Sequence, residues 1–385
     1  QLSTYPCPSN ISFLYNYGFL LGVCILLQII TGICLSMHYV PVVSYSFFVI
    51  KHIIRDIYNG SLLRYLHSNG ASFTFLVLYI HICRSIIFQS YIFLFHTWVT
   101  GIFLYLFLLV IAFLGYVLPW GQKSFWGATV ITNVLSTIPD LVEWICGSFF
   151  VYNPTLNRFF VLHFILPFLV MGFLLFHIFY LHLFGSSHPL ICNSNNKIAF
   201  FSYIFTKDSY GFLVLLLLYF LQVGFGFLVV SHPDNALEVN ILVTPFHIVP
   251  EWYLLPFYAI LRSVPDKLMG VIAMLSAILI LAALPWLDTS KIRSAVFRPL
   301  YKQFYWILVV DVLVLGYVGA MPAEGLYLLI ARVATAYYFI HFLIILPVLG
   351  FKEKTIPLPL SITEPVLGGM PMASAVKKKR KFKLI

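Results

Sequence analysis

Charge is what this chain has least of. Aspartate, glutamate, lysine and arginine make up 9% of its 385 residues, while 61% are hydrophobic. An ordinary soluble domain carries about a quarter charged residues, so that class is excluded. Cysteine is sparse and unpatterned: the six stand at positions 7, 24, 34, 83, 146 and 192, with no C-x-x-C and no C-x-x-C-H. Neither an iron–sulfur site nor covalent c-type haem is expected, and disulfides are not. Cys24, Cys34 and Cys83 read as small buried hydrophobes in apolar runs. The opening Gln1-Leu2-Ser3-Thr4-Tyr5-Pro6 shows no basic stretch ahead of a short apolar one and no Arg-rich amphipathic presequence. The expectation is that a targeting piece has been removed or that the chain is made where it is inserted. The charge that is present leans positive, to a net +10. Much of it lies in the run Lys377 to Lys383, which reads as a solvated arm near anionic lipid headgroups rather than as a nucleic-acid surface.

What the chain has in abundance is apolar runs of 18 or more residues, the mark of a polytopic helical membrane protein. A β-barrel needs short alternating segments, and these runs are continuous. Eight spans are expected, at about Tyr15–Met37, Leu63–Phe88, Thr97–Leu118, Phe159–Phe184, Tyr210–Val230, Lys267–Leu287, Phe304–Ala320 and Tyr327–Leu349. The fold class is thus an all-α membrane protein with eight transmembrane helices. Its organisation reads as a four-helix bundle with its loops over 1–190, a second four-helix part over 191–360 and a basic tail over 361–385. Eight spans put both termini on one side. Most of the lysines and arginines fall there, the tail included, which the positive-inside rule assigns to the cytoplasm-like face. Two long connections, 119–158 and 231–266, fall on the opposite side. The first is expected to form amphipathic surface helices, and long structured loops on one face often build a site.

Four histidines then need a reason. His67 and His81 are 14 residues apart in the second span, and His163 and His177 are 14 apart in the fourth. Fourteen residues is close to four helical turns, about 21 Å, so each pair lies on one helix face. The two spans run in the same direction, so His67 and His163 share one depth and His81 and His177 another. Each level offers two facing imidazoles. Two axial histidines suit a low-spin haem in electron transfer. A zinc site would want more ligands at each level, and a proton relay is the competing use. Glycines repeat the interval: Gly18 and Gly32 in the first span, Gly101 and Gly115 in the third. A missing side chain at each level lets a flat macrocycle lie against backbone, although small residues also serve helix packing. Arg64 and Arg84 flank the first pair and could neutralise haem propionates, and Trp98 could donate its indole N–H. Each of these is also a common interfacial anchor.

The motifs His67-x13-His81, His163-x13-His177, Pro119-Trp120-Gly121-Gln122, Phe125-Trp126-Gly127-Ala128-Thr129-Val130 and Pro250-Glu251-Trp252-Tyr253 are joined by Gly32 to Tyr39 and by Gly185-Ser186-Ser187-His188-Pro189. With these residues the chain resembles, over nearly its whole length, the cytochrome b family of respiratory cytochrome bc1 complexes (complex III). Plastid-type relatives split the chain and add a residue between the second histidine pair, so the respiratory branch is the better match. The wording Leu255-Pro256-Phe257-Tyr258 leans toward a protist or apicomplexan mitochondrial version.

The resemblance implies two non-covalent b haems, the lower-potential one on His67 and His163, the higher-potential one on His81 and His177. It implies ubiquinol oxidation at a pocket on the intermembrane-space side, mapped here to Tyr116, Phe125, Trp126, Gly127, Val130, Pro250, Glu251, Phe257 and Tyr258. Glu251 would accept a proton. Gly127 would leave room for the ring, with Phe125 and Trp126 as its walls. Tyr258 would hydrogen-bond the quinone or face the iron–sulfur partner. One electron would pass to the Rieske iron–sulfur protein and on to cytochrome c1, the other through the two haems to a second quinone site on the matrix side. That site maps to His182, Ser186, Lys207 and Asp208. The setting implied is a homodimeric complex with further subunits in the mitochondrial inner membrane, both termini in the matrix. Two other readings stand beside it: a haem-free transporter with histidine proton relays, and a di-haem reductase without an iron–sulfur partner. The chain departs from the family in having almost no amphipathic segment before the first span, since Pro8-Ser9-Asn10-Ile11 already matches the approach to it. That bears on packing near Gly18. Pro256 is expected to reshape a wall of the quinol pocket, Ser61 and Phe19 differ without an obvious consequence, and the tail from about Ser361 does not align.

Overall fold

A backbone in lipid has to satisfy its own hydrogen bonds, so the apolar runs become helices. The structure, a computed structural model, describes residues 3–138, 140–190, 196–226, 230–290, 292 and 294–355. The basic tail lies outside the described residues. The chain begins with a short strand, β1 (Pro6–Pro8), and a 3-10 turn, Phe13–Asn16. Helices α1 (Tyr17–Ser36), α2 (Val43–Arg55), α3 (Gly60–Ile87), α4 (Ser90–Phe93), α5 (Phe95–Val117), α6 (Gln122–Val134), α7 (Leu141–Cys146) and α8 (Asn153–Phe184) complete the first half. Strand β2 (Lys197–Ala199) pairs antiparallel with β1. Helices α9 (Phe205–Phe225), α10 (Leu255–Ser263), α11 (Lys267–Leu279), α12 (Leu284–Leu287), α13 (Pro299–Gly319), α14 (Gly325–Ile340) and α15 (Leu346–Thr355) follow. Among the described residues seven helical stretches are long and apolar enough to cross a membrane, the last being Gly325–Glu353 through a π-turn at His341–Ile345.

The sixth expected span departs from the pattern. Its helix α11 starts cleanly, with the Asp266 side chain accepting from the Met269 N–H at 2.8 Å. It stops at Leu279, and residues 280–283 turn through shorter-range bonds such as Ala283 N–H to the Ile280 carbonyl. The physical reason lies downstream. Pro285 has no N–H to give the carbonyl of Leu281, four residues earlier, so the regular ladder cannot close there. The indole N–H of Trp98 donates to that carbonyl at 2.8 Å, which the Leu284 N–H reaches only at 3.4 Å.

In the first half α1 packs on α3 and α5 on α8, so two helix pairs face each other. In the second half α10, α13 and α14 pack together, with α11 against α10. The two long connections meet on one side, as expected. Gln122 donates from its side chain to the Val243 carbonyl, Trp126 to the Asn240 carbonyl at 3.3 Å, and Ser124 to Asn235 Oδ1 at 2.7 Å. The amphipathic helices expected in the first connection are α6 and α7, although the start of α6 is buried, Lys123 and Ser124 included. The halves are also tied by fully buried Arg298. It donates to Glu353 and faces Asp288, whose Oδ2 also accepts from Gln89 and Tyr91.

Candidate functional site

Helix α3 brings His67 and His81, and α8 brings His163 and His177, to the same two levels. The ring centres of His67 and His163 are 6.2 Å apart, and those of His81 and His177 6.4 Å. With metal–nitrogen bonds of about 2 Å, two imidazoles sharing one metal through Nε2 have ring centres about 6 Å apart. Both pairs therefore stand at about the separation that two imidazoles sharing one metal would need. No group of three or more His, Cys, Asp or Glu suited to a metal occurs among the described residues. A macrocycle that brings its own equatorial nitrogens fits such two-ligand levels.

Each glycine of the 14-residue intervals faces one of these rings. A Cβ on Gly32 would lie 3.0 Å from His67 Cε1, on Gly18 3.2 Å from His81 Cε1, on Gly115 2.4 Å from His163 Cε1 and on Gly101 3.3 Å from His177 Cε1. The clearance expected for a macrocycle is thus taken up, on the near side, by the imidazoles themselves.

Hydrogen bonds fix the tautomers. The Thr31 hydroxyl spends its one proton on the Leu27 carbonyl at 2.7 Å, so toward His67 Nδ1, at 2.9 Å, it can only accept. Thr100 repeats this, donating to the His96 carbonyl at 2.9 Å and facing His177 Nδ1 at 3.2 Å. His163 Nδ1 lies 2.9 Å from the Ile111 carbonyl, again an acceptor. In three of the four rings Nδ1 carries the proton and the Nε2 lone pair is free for a metal. The exception is His81, whose Nδ1 is 3.4 Å from Arg84 Nη2, a donor. Arg84 also lies over the Tyr15 ring at 4.7 Å, and its Nε is buried without a partner. That orphaned donor suits an anionic cofactor group at the second level.

A cavity of about 690 Å³ opens at the first level. That is the size range of cofactor sites. His67, His163, Gly32, Gly115, Arg64, Tyr116 and Glu251 line it, together with His232, Asn235 and Tyr253 from the second long connection. Burial pushes the Glu251 carboxyl up to about 7, which a hydrogen bond with Tyr116 and the charge of Lys123 only partly offset. Buried Lys123 donates to the His247 carbonyl at 3.1 Å. Its ammonium is pushed below its ordinary range by burial, with Asp234 and Glu251 pulling the other way.

The other residues expected at this pocket do not line the cavity. Phe125 packs edge-on between Trp120 and Trp126, with ring centres at 5.8 and 5.4 Å. Gly127 faces open space. Val130 and Pro250 are half-buried. Phe257 approaches the Tyr105 ring at 6.4 Å, and the Tyr258 hydroxyl donates to the Ile248 carbonyl at 3.3 Å. Pro256, expected to reshape a pocket wall, starts α10 instead and rests 3.8 Å from the Cβ position of Gly316. Trp98, expected at a cofactor, has its single donor committed to Leu281.

At the opposite end the short N-terminal segment fills the space beside the second level. The Tyr5 ring sits 4.8 Å from the exposed His182 ring. Lys207 donates to the Ile11 carbonyl at 2.5 Å. Asp208 lies close enough to Cys7 to push its thiol up, after burial itself. Ser186 is half-buried, beside the Ser187–Ser90 hydroxyl contact of 3.1 Å. Tyr5 Oη, Tyr15 Oη and Asn16 Nδ2 are buried without partners, and Asn16 Nδ2 lies 3.7 Å from the Cβ position of Gly211, one turn beyond Asp208.

Sequence reasoning missed Thr31, Thr100, Tyr116's neighbours Lys123 and Tyr253, and the N-terminal Tyr5, Tyr15 and Asn16. One signal was available: threonine precedes glycine in both Thr31-Gly32 and Thr100-Gly101.

Residues 2–185 match the family described as Cytochrome b/b6/petB, and residues 238–339 match Cytochrome b(C-terminal)/b6/petD. A cytochrome b of Chondrus crispus is 51% identical over 360 residues, covering 92% of this chain and 94% of the relative. One from Rhodospirillum rubrum is 48% identical over 378 residues, covering 95% and 92%. One from Phytophthora megasperma is 48% identical over 359 residues, covering 92% and 94%. A solved structure titled "Hyperthermophilic respiratory Complex III" superposes with a TM-score of 0.86 at 31% identity, over 92% of this chain and 95% of that one.

Proposed function

Because the chain belongs to the cytochrome b/b6 family, we propose that its two imidazole levels each hold a non-covalent b haem and that quinones react at both ends of the pair. The chain is an integral membrane protein and the core catalytic subunit of a respiratory complex III. What carries the two-haem reading is the repeated construction: opposed imidazoles 6.2 and 6.4 Å apart, each ring seated against a glycine. His67 and His163 would hold the lower-potential haem, with Arg64 near its carboxylates, and His81 and His177 the higher-potential one, with Arg84. A bound haem supplies reversible one-electron iron chemistry, so two levels link the two membrane faces.

The chain's own residues do the rest. Glu251 faces the cavity on the side of the long connections, where ubiquinol is oxidised. Its carboxylate takes a proton from the quinol hydroxyl as electrons leave, and Tyr116 and Lys123 hold it in place. The family likeness is what assigns Phe125, Trp126, Gly127, Val130, Pro250, Phe257 and Tyr258 to that reaction; they stand outside the cavity lining. One electron goes to the Rieske iron–sulfur protein and on to cytochrome c1, and the other to the second quinone site. There His182 and Asp208 bond the two carbonyl ends of ubiquinone and relay protons, with Ser186 and Lys207 beside them. The mitochondrial inner membrane, both termini in the matrix, and a dimeric complex complete the proposal. The histidine proton relay is disfavoured because three of the four Nδ1 protons are committed to acceptors. The 1–190 and 191–360 division follows the two histidine helices and the loop bearing Glu251.

A potentiometric titration of reduced-minus-oxidised spectra in the membrane complex tests this. Two b-type bands with separate midpoints are expected, and His163→Leu should remove only the lower one. A complex without haem, or with a single b-type midpoint, overturns the reading.

A further inference from the structure

The backbone that carries Glu251 is held from one side by three side chains of the histidine-bearing helix α3. Ser72, Phe75 and Tyr79 stand at i, i+3 and i+7, which puts them on one helix face. The Trp252 indole N–H donates to Ser72 Oγ at 3.2 Å. Tyr253 stacks on Phe75 with ring centres 4.0 Å apart and planes 4° from parallel. The Tyr79 hydroxyl donates to the Tyr253 carbonyl. Its proton being used there, Tyr79 accepts from the Tyr105 hydroxyl at 3.5 Å. The Tyr79 ring also meets Trp252 edge-on at 6.1 Å. Phe75, Tyr105 and Tyr253 are all buried. Upstream of Glu251, Tyr258 holds the Ile248 carbonyl and Lys123 the His247 carbonyl. The main chain is therefore pinned on both sides of Glu251, whose side chain lines the cavity.

We propose that Ser72, Phe75 and Tyr79 are positioning residues for quinol oxidation, a clamp on Trp252 and Tyr253 that keeps the Glu251 carboxyl opposite Tyr116. This rests on the reading of Glu251 as proton acceptor. The clamp sits on α3 between His67 and His81, so one rigid element sets both the imidazole levels and the acid. Side chains locked by packing and by hydrogen bonds are what hold a reacting group in place, and small displacements cost rate steeply. Tyr79 matters most, because its hydroxyl anchors the backbone carbonyl two residues beyond the acid.

The test is Tyr79→Phe, with Ser72→Ala beside it, in the assembled membrane complex. The phenylalanine keeps the ring and its packing and removes only the hydroxyl. Turnover with a soluble ubiquinol analogue and an excess of cytochrome c is followed from pH 5.5 to 9 (about two units to either side of the Glu251 midpoint). Expected for Tyr79→Phe is a kcat lower by about tenfold, a displaced pH midpoint, and both b-type spectra and midpoints unchanged. Ser72→Ala should move the same quantities less. A Tyr79→Phe complex with wild-type kcat and pH profile overturns the clamp, as does one whose haem spectra change. Glu251→Gln, measured in parallel, separates the two ideas. Wild-type turnover in Glu251→Gln sinks the acceptor reading itself, whereas slow Glu251→Gln with unaltered Tyr79→Phe sinks only the clamp.

Discussion

The two imidazole levels share a plan and differ in surroundings. The His67–His163 level opens into a large cavity with a carboxyl at its edge, and both Nδ1 atoms face acceptors at 2.9 Å. At the His81–His177 level neither histidine lines that cavity, one Nδ1 contact is 3.2 Å, and the other is a 3.4 Å contact with an arginine donor. The glycine seats differ in the same sense, 2.4 and 3.0 Å at the first level against 3.2 and 3.3 Å at the second. The level beside the cavity is the more tightly built. Each level has its own guanidinium, Arg64 at the first and Arg84 at the second.

The largest effect should come from adding one methyl group at each level in turn. Gly115→Ala places a Cβ 2.4 Å from His163. The ring cannot stay, and the lower-potential b-type band should disappear from the difference spectrum. Gly101→Ala needs the His177 ring to give by only a few tenths of an ångström, so both bands should persist with a small change in one midpoint. Equal losses in the two variants would erase the contrast between levels.

The carboxyl at the first level comes next. With its pKa at about 7, Glu251 is neutral at low pH and cannot accept a proton, and it is ionised above neutrality. Quinol oxidation should therefore rise about tenfold per unit up to pH 7 and flatten above it. Glu251→Gln should lower the plateau on the order of a hundredfold and abolish that limb, while haem re-oxidation from the other end keeps its rate. A pH profile that survives the substitution removes Glu251 from the mechanism.

Smaller again is the contrast between the two threonines. Thr31→Val removes the hydroxyl that faces His67 Nδ1 at 2.9 Å and leaves only the Gln28 backbone as acceptor, a cost of about 1 kcal/mol. Heat or detergent should strip the lower-potential haem first. Thr100→Val should do less, because its contact with His177 Nδ1 is the longer of the two, 3.2 Å against 2.9 Å. The smallest effect is expected from Trp98→Phe. The lost bond to Leu281 lowers stability by about 1 kcal/mol, read as a slightly lower melting temperature, with both haem spectra intact. A changed haem spectrum would return Trp98 to the cofactor.

Much of this was legible in the chain itself, for reasons that differ from element to element. The long spans were visible because lipid demands unbroken apolar length, and Tyr17–Ser36 and Phe95–Val117 lie within two residues of their expected bounds. Helix α2 went unread because it is short and half-polar. The break after Leu279 was hidden because a proline acts on the carbonyl four residues before it. The histidine levels could be read because helical parity converts spacing into depth. The bonds that orient those rings could not be read, since which face Thr31 presents depends on how α1 rolls against α3. Least visible were the contacts on the Glu251 loop. Ser72 and Trp252 are 180 positions apart, and no local pattern relates them.

The four glycines have one more consequence. Each admits an imidazole at a single place along its helix, and the neighbouring residues do not. A slip of α1 by one residue against α3 would bring Thr31 or Ile33 to His67 and, at the other level, Tyr17 or Phe19 to His81. Both notches would fail together. The same holds for α5 against α8. The glycines thus act as keys that permit one registry of each helix pair. A nascent bundle can reject misaligned helices on steric grounds before any cofactor arrives.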